Sequence, residues 1–117
     1  MEETVFDKII RREIPADIVF ESDEIIAFHD IHPLAPVHVL IIPKRRIETV
    51  DDLGDGDALL VGKMVLVARN IARDLNISRK GYKLLFRVGQ DGGQEIPHIH
   101  LHLIGGARLS EGIRPVR

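Results

Sequence analysis

The sequence of 117 residues contains no cysteine. That absence excludes disulfide bonds, thiolate metal ligands and cysteine nucleophiles, and it is typical of proteins kept in a reducing interior. The chain also lacks a surplus of basic residues. Its formal net charge is −2, so the composition indicates neither a nucleic-acid partner nor a membrane partner.

Long apolar runs are absent as well. No segment approaches the ~18 apolar residues of a membrane span, and the acidic start Met1-Glu2-Glu3 has no apolar signal core behind it. Repeats, low-complexity tracts and linkers are missing too. We therefore expect a cytoplasmic protein with one domain over residues 1–117, in which residues 107–117 form a C-terminal tail.

Hydrophobic periodicity predicts two helices and five strands. Thr4 is the expected N-cap of the first helix, with Asp7 completing an acidic capping box, and Asp57 is the expected N-cap of the second. Because the helices do not alternate regularly with the strands, the pattern favours an antiparallel α+β sheet. The predicted helices span 4–12 and 57–75, and the predicted strands span 18–20, 24–28, 39–42, 82–87 and 98–104.

The second predicted helix carries more apolar surface than one sheet face requires. Leu59 and Leu66 fall on the side that also carries Lys63, Asn70 and Arg73. This distribution favours a homodimer contact over a well-covered helix in a monomer.

One short stretch holds half of the six histidines: His98-Ile99-His100-Leu101-His102-Leu103-Ile104. In an extended strand successive side chains point to opposite faces, so the imidazoles share one face and the aliphatic side chains share the other. Each neutral ring needs both a donor and an acceptor partner, which disfavours a purely structural role for three of them. The stretch therefore predicts a strand whose imidazole face is a candidate active surface and whose aliphatic face is buried.

Two chemistries fit such a surface. A neutral imidazole attacks phosphorus without first losing a proton, and water then displaces the phosphorylated imidazolium. A zinc site, with His38 as a further ligand, is the alternative. It is less favoured because the Cα atoms of His98 and His102 lie about 13–14 Å apart along a strand, while the rings must converge on one ion.

Two further segments bear on phosphate binding. The loop 89–94 contains three glycines and directly precedes the histidines, so its backbone N–H groups could approach a phosphate closely. A plain hairpin connection has the same composition. The basic triplet Lys44-Arg45-Arg46 is interpreted as a solvated strand end, with a phosphate grip as the alternative.

The pattern His98-x-His100-x-His102, with aliphatic residues between, resembles the signature of the histidine-triad (HIT) family. The likeness runs over residues 4–106 and points to the Hint branch, the purine nucleoside phosphoramidases. It implies a homodimeric, HIT-like α+β fold. The other matching segments are Phe6-Asp7-Lys8-Ile9-Ile10, Glu13-Ile14-Pro15-Ala16, Ala27-Phe28-His29-Asp30-Ile31, Ala35-Pro36-Val37-His38, Leu40-Ile41-Ile42-Pro43-Lys44, Gly92-Gly93-Gln94 and Gly105-Gly106.

The resemblance implies hydrolysis of the P–N bond of purine nucleoside 5'-phosphoramidates, such as adenosine 5'-monophosphoramidate, without a cofactor or metal. AMP or GMP is then the nucleotide product. His100 is implied to be the nucleophile that forms a nucleotidyl-histidine intermediate. His98 would orient it through its backbone carbonyl and would pair with His38. His102 would contact the phosphate and the leaving group.

The resemblance also implies a nucleoside site. Asp30 matches the residue that binds the ribose hydroxyls. The residues that fall where the family forms its apolar base pocket are Val5, Phe6, Ile9 and Phe28, for which ordinary core packing is the alternative. His29 and His32 match no catalytic role.

The remaining predicted nucleotide-binding residues lie in or beside the glycine loop: Arg87, Gly93, Gln94 and Glu95. Two of them depart from the family pattern, since many Hint proteins have asparagine in place of Arg87 and serine or threonine in place of Glu95. We hypothesise that these two charges alter the leaving-group preference, and that they pair with each other across the loop.

Other functions stay open at this point. One is a dinucleoside polyphosphate hydrolase or adenylylated-lysine hydrolase that uses the same nucleophile. Others are a nucleotide-binding or scaffolding protein in which catalysis is incidental, and a zinc-binding module.

Overall fold

The computed structural model describes residues 2–116. Its elements are α1 (Val5–Ile10), β1 (Ile18–Glu21), β2 (Ile25–His29), β3 (Val37–Pro43), α2 (Ala58–Asp74), β4 (Tyr82–Leu85) and β5 (Leu101–Gly105). The strands form one five-stranded sheet in the order β1-β2-β3-β5-β4, and every pairing is antiparallel. The predicted α+β fold, with five antiparallel strands and two helices, is confirmed. Neither helix of the described chain has the length and apolar character needed to span a membrane.

The aliphatic run of β3 explains its position at the centre of the sheet. Val39 and Ile41 point to one face and pack with the side chains of α2. Leu40 and Ile42 point to the other face and pack with Phe6 of α1. A continuous apolar run is expected where both faces of a strand are covered. The core is therefore split into two clusters by the sheet, one under each helix.

Helix α1 begins at its predicted cap. The Thr4 hydroxyl accepts a hydrogen bond from the Asp7 N–H at 3.3 Å, and the Asp7 carboxylate accepts one from the Thr4 N–H at 2.8 Å. These two bonds form the capping box that satisfies helix-end donors. The helix is shorter than predicted, because Arg12 just beyond it has a positive φ of 64°. Its buried Phe6 and Ile9 anchor it on the sheet.

Helix α2 starts where predicted, but the side chain of Asp57 does not cap it. That carboxylate instead accepts from the Gly54 N–H at 2.8 Å and pairs with Arg45. The reason is the short 3-10 turn over residues 55–57, which needs a capping acceptor of its own one turn earlier. Along α2, Leu59 is 71% exposed and Leu66 is 49% exposed. The apolar side chains noted from the sequence therefore lie at the surface of the chain.

The histidine stretch is a strand only in its second half. β5 begins at Leu101, so His98 and His100 precede it, and the predicted strand over 98–104 is wrong at its start. The first half bonds to the segment that follows β3: the Ile99 N–H donates to the Ile47 carbonyl at 2.7 Å. Its backbone groups therefore do not extend the ladder of the sheet.

The predicted alternation of faces nevertheless holds through β5. Leu101 and Leu103 pack in the core cluster under α2. His102 points to the opposite face, where α1 lies. All three histidines of the motif are buried: His98 and His100 pack edge-to-face against Phe6, and His102 packs against His38 and His100.

Candidate active site

A cavity of about 640 Å³ opens on the α1 side of the sheet. His38, His100 and His102 line it. The other predicted site residues that line it are Val5, Phe6, Ile9, Phe28, Asp30, Arg87, Gly93 and Glu95. His98 and Gln94 do not line it. The fold thus gathers residues from α1, β2, β3, β5 and the glycine loop around one space.

The tautomer of His100 is set by one backbone bond. Its Nδ1 lies 2.7 Å from the carbonyl oxygen of His98. A carbonyl only accepts, so Nδ1 carries the proton and Nε2 carries the lone pair. Nε2 has no hydrogen-bond partner among the described residues. The ring also packs edge-to-face against Phe6, with 5.1 Å between centroids, so its orientation is restrained as well.

His98 orients His100 through its carbonyl, but it does not pair with His38 as predicted. The Nε2 of His98 lies 2.8 Å from the Pro43 carbonyl, whereas the Nε2 of His38 lies 2.9 Å from the Nδ1 of His102. The antiparallel register is the cause. His38, the second residue of β3, lies opposite Ile104 near the end of β5, while His98, which precedes β5, lies beside Pro43 at the end of β3.

A directed chain of hydrogen bonds sets the protons of His38 and His102. The Leu34 N–H can only donate, so the Nδ1 of His38 accepts, at 3.1 Å. The proton of neutral His38 is then on Nε2, which donates to the Nδ1 of His102. The proton of neutral His102 is therefore on its Nε2, the atom that lies 3.3 Å from Nη1 of Arg87. Two N–H donors thus face each other at the edge of the cavity without an acceptor between them.

Burial keeps the four histidines uncharged. Loss of hydration lowers the pKa of His38, His98 and His100, and it is the largest influence on each of them. The pKa of His102 falls to about 3, because burial is reinforced by His100, Arg87 and His38. All four rings are consequently neutral at pH 7, the form in which an imidazole is a nucleophile.

The part of the cavity predicted to bind the nucleoside combines one carboxylate with an apolar wall. Oδ2 of Asp30 lies 3.6 Å from the Nε2 of His38. Phe6 and Phe28 meet edge-to-face at 5.6 Å. Ile9 is buried in the same cluster and also lines the cavity, so the base-pocket and core-packing alternatives both describe it. Val5, 42% exposed, stands at the rim.

The glycine loop uses several of its N–H groups in hydrogen bonds within the protein. Gly93 donates to the Gln90 carbonyl at 3.1 Å, and Gln94 donates to the Gly89 carbonyl at 3.0 Å. The side chain of Gln94 accepts from the Gly89 N–H and donates to the Glu48 carbonyl at 2.6 Å. Three of the six N–H groups that we expected to face a phosphate therefore already have acceptors in the protein. The side chain of Gln94 thereby ties the loop to the backbone of Glu48.

Arg87 and Glu95 both line the cavity, but no ion pair joins them in residues 2–116. Arg87 lies two residues beyond the end of β4, and its side chain crosses Gly93. A Cβ on Gly93 would lie 3.5 Å from Cδ of Arg87, and the positive φ of Gly93, 81°, favours glycine there. The guanidinium reaches His102 instead of Glu95.

Part of the cavity wall was missed by the sequence reasoning. His29 and His32 line the cavity, although no role was predicted for them. The other missed wall residues are Ile14, Pro15, Ala16, Ile31, Leu34, Leu40 and Ile96. Most lie in connections, where side-chain direction does not follow a period. The family match of Ile14-Pro15-Ala16 was the available signal. Within residues 2–116, no three His, Cys, Asp or Glu side chains are arranged to hold a metal ion.

Comparisons with known proteins identify the family of this chain. A family model described as the HIT domain matches residues 11–109. A purine nucleoside phosphoramidase of Escherichia coli is 50% identical over 108 residues, which cover 92% of this chain and 91% of that protein. A HIT family hydrolase from Legionella pneumophila has a TM-score of 0.91 and 45% identity, covering 94% of this chain and 98% of its own. A HIT family hydrolase from Clostridium thermocellum has a TM-score of 0.92 and 42% identity, covering 97% and 99%. The predicted HIT-like fold is confirmed, and the chain belongs to the HIT family of hydrolases.

Proposed function

We propose that this protein hydrolyses the P–N bond of purine nucleoside 5'-phosphoramidates to an amine and a nucleoside monophosphate, AMP or GMP. The observation that carries this proposal is the 2.7 Å bond between Nδ1 of His100 and the carbonyl of His98, which leaves an unprotonated Nε2. The 50% identity to the purine nucleoside phosphoramidase of Escherichia coli supports the same reaction.

The proposed reaction has two steps. Nε2 of His100 bonds to phosphorus as the bond to the amine breaks, and the departing amine takes a proton from water. The product of this step is a nucleotidyl-histidine. A water molecule then attacks phosphorus, loses a proton, and releases the monophosphate and free His100. One water is consumed, and the protons balance over the cycle. The bond from Nδ1 to the His98 carbonyl stabilises the positive charge on the phosphorylated ring.

The two facing donors of His102 and Arg87 are the proposed phosphate contact. A non-bridging phosphoryl oxygen between them would accept hydrogen bonds from Nε2 of His102 and Nη1 of Arg87, and so supply the acceptor that these two donors lack. Donors already aimed at a developing charge stabilise a transition state without reorganising. A guanidinium adds a charge-assisted hydrogen bond to an oxyanion.

The nucleoside is proposed to bind on the α1 side of the same cavity. Phe6 and Phe28 offer aromatic surface to a purine ring, which is the kind of wall that ligand cavities favour. The Asp30 carboxylate can accept hydrogen bonds from two ribose hydroxyls. Glu95 lines the cavity beside the glycine loop, and its charge favours a cationic amine as leaving group.

Arg87→Met is expected to weaken AMP binding about tenfold to a hundredfold, because a hydrogen bond to a charged group contributes ~1.5–3 kcal/mol. Adenosine, which has no phosphate, should bind as tightly to the variant as to the wild type. Calorimetric titration of both ligands measures this difference. Arg69→Met, on the exposed side of α2, is the matched control. Equal losses for adenosine and AMP would contradict a phosphate contact.

Turnover of a fluorogenic adenosine phosphoramidate beside a diadenosine polyphosphate tests the proposed activity. We expect the larger kcat/KM for the phosphoramidate. Comparable or greater activity on the polyphosphate would favour the dinucleoside polyphosphate alternative. Tight binding of both without turnover would favour a nucleotide-binding or scaffolding protein. Adenylylated lysine, as a third substrate, tests the cationic leaving group.

The homodimer, the cytoplasmic location, the absence of a nucleic-acid partner and the domain limits stay predictions. The homodimer is supported by an apolar strip on α2, where Leu59, Val65 and Leu66 are all at least 40% exposed. Burying such a strip against a second copy removes apolar area from water. Sedimentation at micromolar concentration tests this point, and a strict monomer would contradict it.

A further inference from the structure

We propose that Arg46, together with Asp7, is a positioning residue for the nucleophile His100. In this proposal Arg46 holds the backbone on the N-terminal side of His98, and so aims the carbonyl that fixes the proton of His100. The kinetic part of the proposal rests on the proposed function. The geometric part does not.

The side chain of Arg46 joins three separate parts of the chain. Its Nε donates to the Pro97 carbonyl at 3.1 Å. Its Nη1 donates to Oδ2 of Asp7 at 3.0 Å and to the Glu2 carbonyl at 2.9 Å. The Arg46 and Asp7 side chains are only 19% and 17% exposed, so water screens the pair less than at an open surface. The rigid fork of a guanidinium suits simultaneous bonds of this kind.

The peptide between His98 and Ile99 connects the Arg46 hydrogen bonds to the nucleophile, because its carbonyl accepts the hydrogen bond from His100. Its N–H donates to the Ile47 carbonyl at 2.7 Å. In a trans peptide the N–H and C=O point in opposite directions, so the His98 carbonyl points away from Ile47 and towards Nδ1 of His100. Arg46, the residue before Ile47, holds the preceding carbonyl. The adjacent residues Arg46 and Ile47 therefore hydrogen-bond to the backbone on the two sides of His98.

The charges of Asp7 and Arg46 both act on the ring of His98. Nε2 donates to Pro43, so a neutral ring has only a lone pair at Nδ1. That Nδ1 is buried, has no hydrogen-bond partner among residues 2–116, and lies 3.8 Å from Oδ1 of Asp7. If the Asp7 carboxylate had no cation beside it, its negative charge would favour a proton on this nitrogen. Burial lowers the pKa of His98 most strongly, Asp7 opposes that effect, and Arg46 reinforces it. Arg46 thus counteracts the effect of the Asp7 charge on the ring that supports His100.

The neighbouring basic residue offers a matched control. Arg45 also pairs with an aspartate, Asp57, but its side chain is 62% exposed and, within residues 2–116, makes no hydrogen bond to the histidine segment. Neither interpretation of the basic triplet, a solvated strand end or a phosphate grip, therefore describes Arg46. It is directed inwards, to the protein's own backbone.

The experiment compares Arg46→Met, Arg46→Lys and Arg45→Met. We expect Arg46→Met to lower kcat for the phosphoramidate about tenfold with KM nearly unchanged, because a displaced nucleophile weakens the reaction more than binding. Nitrogen NMR of the imidazole rings should show His100 as the Nδ1–H form in the wild type and as a mixture of tautomers in Arg46→Met. Arg46→Lys keeps a charge beside Asp7 but loses the fork, so both effects should be intermediate. It is also the variant to use if Arg46→Met does not fold.

Two results would overturn the proposal. One is a wild-type kcat together with a wild-type tautomer in the Arg46 variants. The other is an equal loss in Arg45→Met, which would make the effect one of general stability. The tautomer measurement needs no turnover. If the wild-type protein failed to hydrolyse the phosphoramidate, the proposed function would fall, and NMR would still decide the role of Arg46.

Discussion

Replacing His100 by alanine should lower kcat for an adenosine phosphoramidate by ~10⁴-fold or more, the scale seen when a nucleophile is removed. No other buried histidine can substitute for it. The Nε2 atoms of His38 and His102 carry protons in the directed chain, and His98 does not line the cavity. Among the four buried histidines, only His100 lines the cavity and has an unprotonated nitrogen without a hydrogen-bond partner in residues 2–116. Initial rates under substrate saturation measure this loss.

Trapping the intermediate makes the test of His100 specific. Rapid quench of the wild-type protein with substrate in alkaline denaturant, in which the P–N bond of a phosphorylated imidazole survives, should yield a peptide containing His100 that carries the mass of a nucleotidyl group. The alanine variant should bind AMP and yield no such peptide. Replacing His32 by alanine is the control, since that side chain lies exposed at the rim of the same cavity. Retained turnover in the His100 variant would show that the nucleophile lies elsewhere.

The free energy of unfolding should fall steeply as the pH drops below ~6.5, the ordinary pKa of histidine. In the folded protein the pKa values of His38, His98, His100 and His102 are all lowered. Between 6.5 and those lowered values the unfolded chain binds protons that the folded chain does not, so stability falls as protons are added. Each such histidine contributes a slope of up to about 1.4 kcal/mol per pH unit.

Urea denaturation at a series of pH values from about 7 to about 5 measures this slope. His102, with a pKa of about 3, should contribute over the whole range. A His102→Asn variant should therefore lose less stability per pH unit than the wild type. A flat wild-type profile over this range would mean that the buried rings accept protons without unfolding, contrary to the expectation.

Several features of this protein follow from sequence alone because they depend on neighbours along the chain. The two-residue period of an extended backbone correctly separated His100 and His102, which line the cavity, from Leu101 and Leu103, which pack in the core. Thr4 and Asp7 form their capping box within a single turn. The aliphatic run of β3 predicted a central strand, because only a strand covered on both faces can be apolar throughout.

Other features depended on which distant segments the fold brings together. The partner of His38 was predicted wrongly because antiparallel register, and not spacing in the motif, decides which end of β5 lies beside it. The glycine loop had the right composition for a phosphate cradle, yet the side chain and N–H of Gln94 join a hydrogen-bond network that occupies several of its backbone groups. No local pattern distinguishes Arg46 from Arg45, although one is directed inwards and the other outwards.

The sequence by itself thus determined which side chains share a face and that a histidine is the candidate nucleophile. The tertiary structure decided which histidine pairs with which, which ring nitrogen carries each proton, and which charged side chains lie beside the rings. The division has a physical cause. Periodicity and capping are set by bonds within a few residues, whereas the state of a buried imidazole is set by donors and acceptors that the chain supplies from tens of residues away.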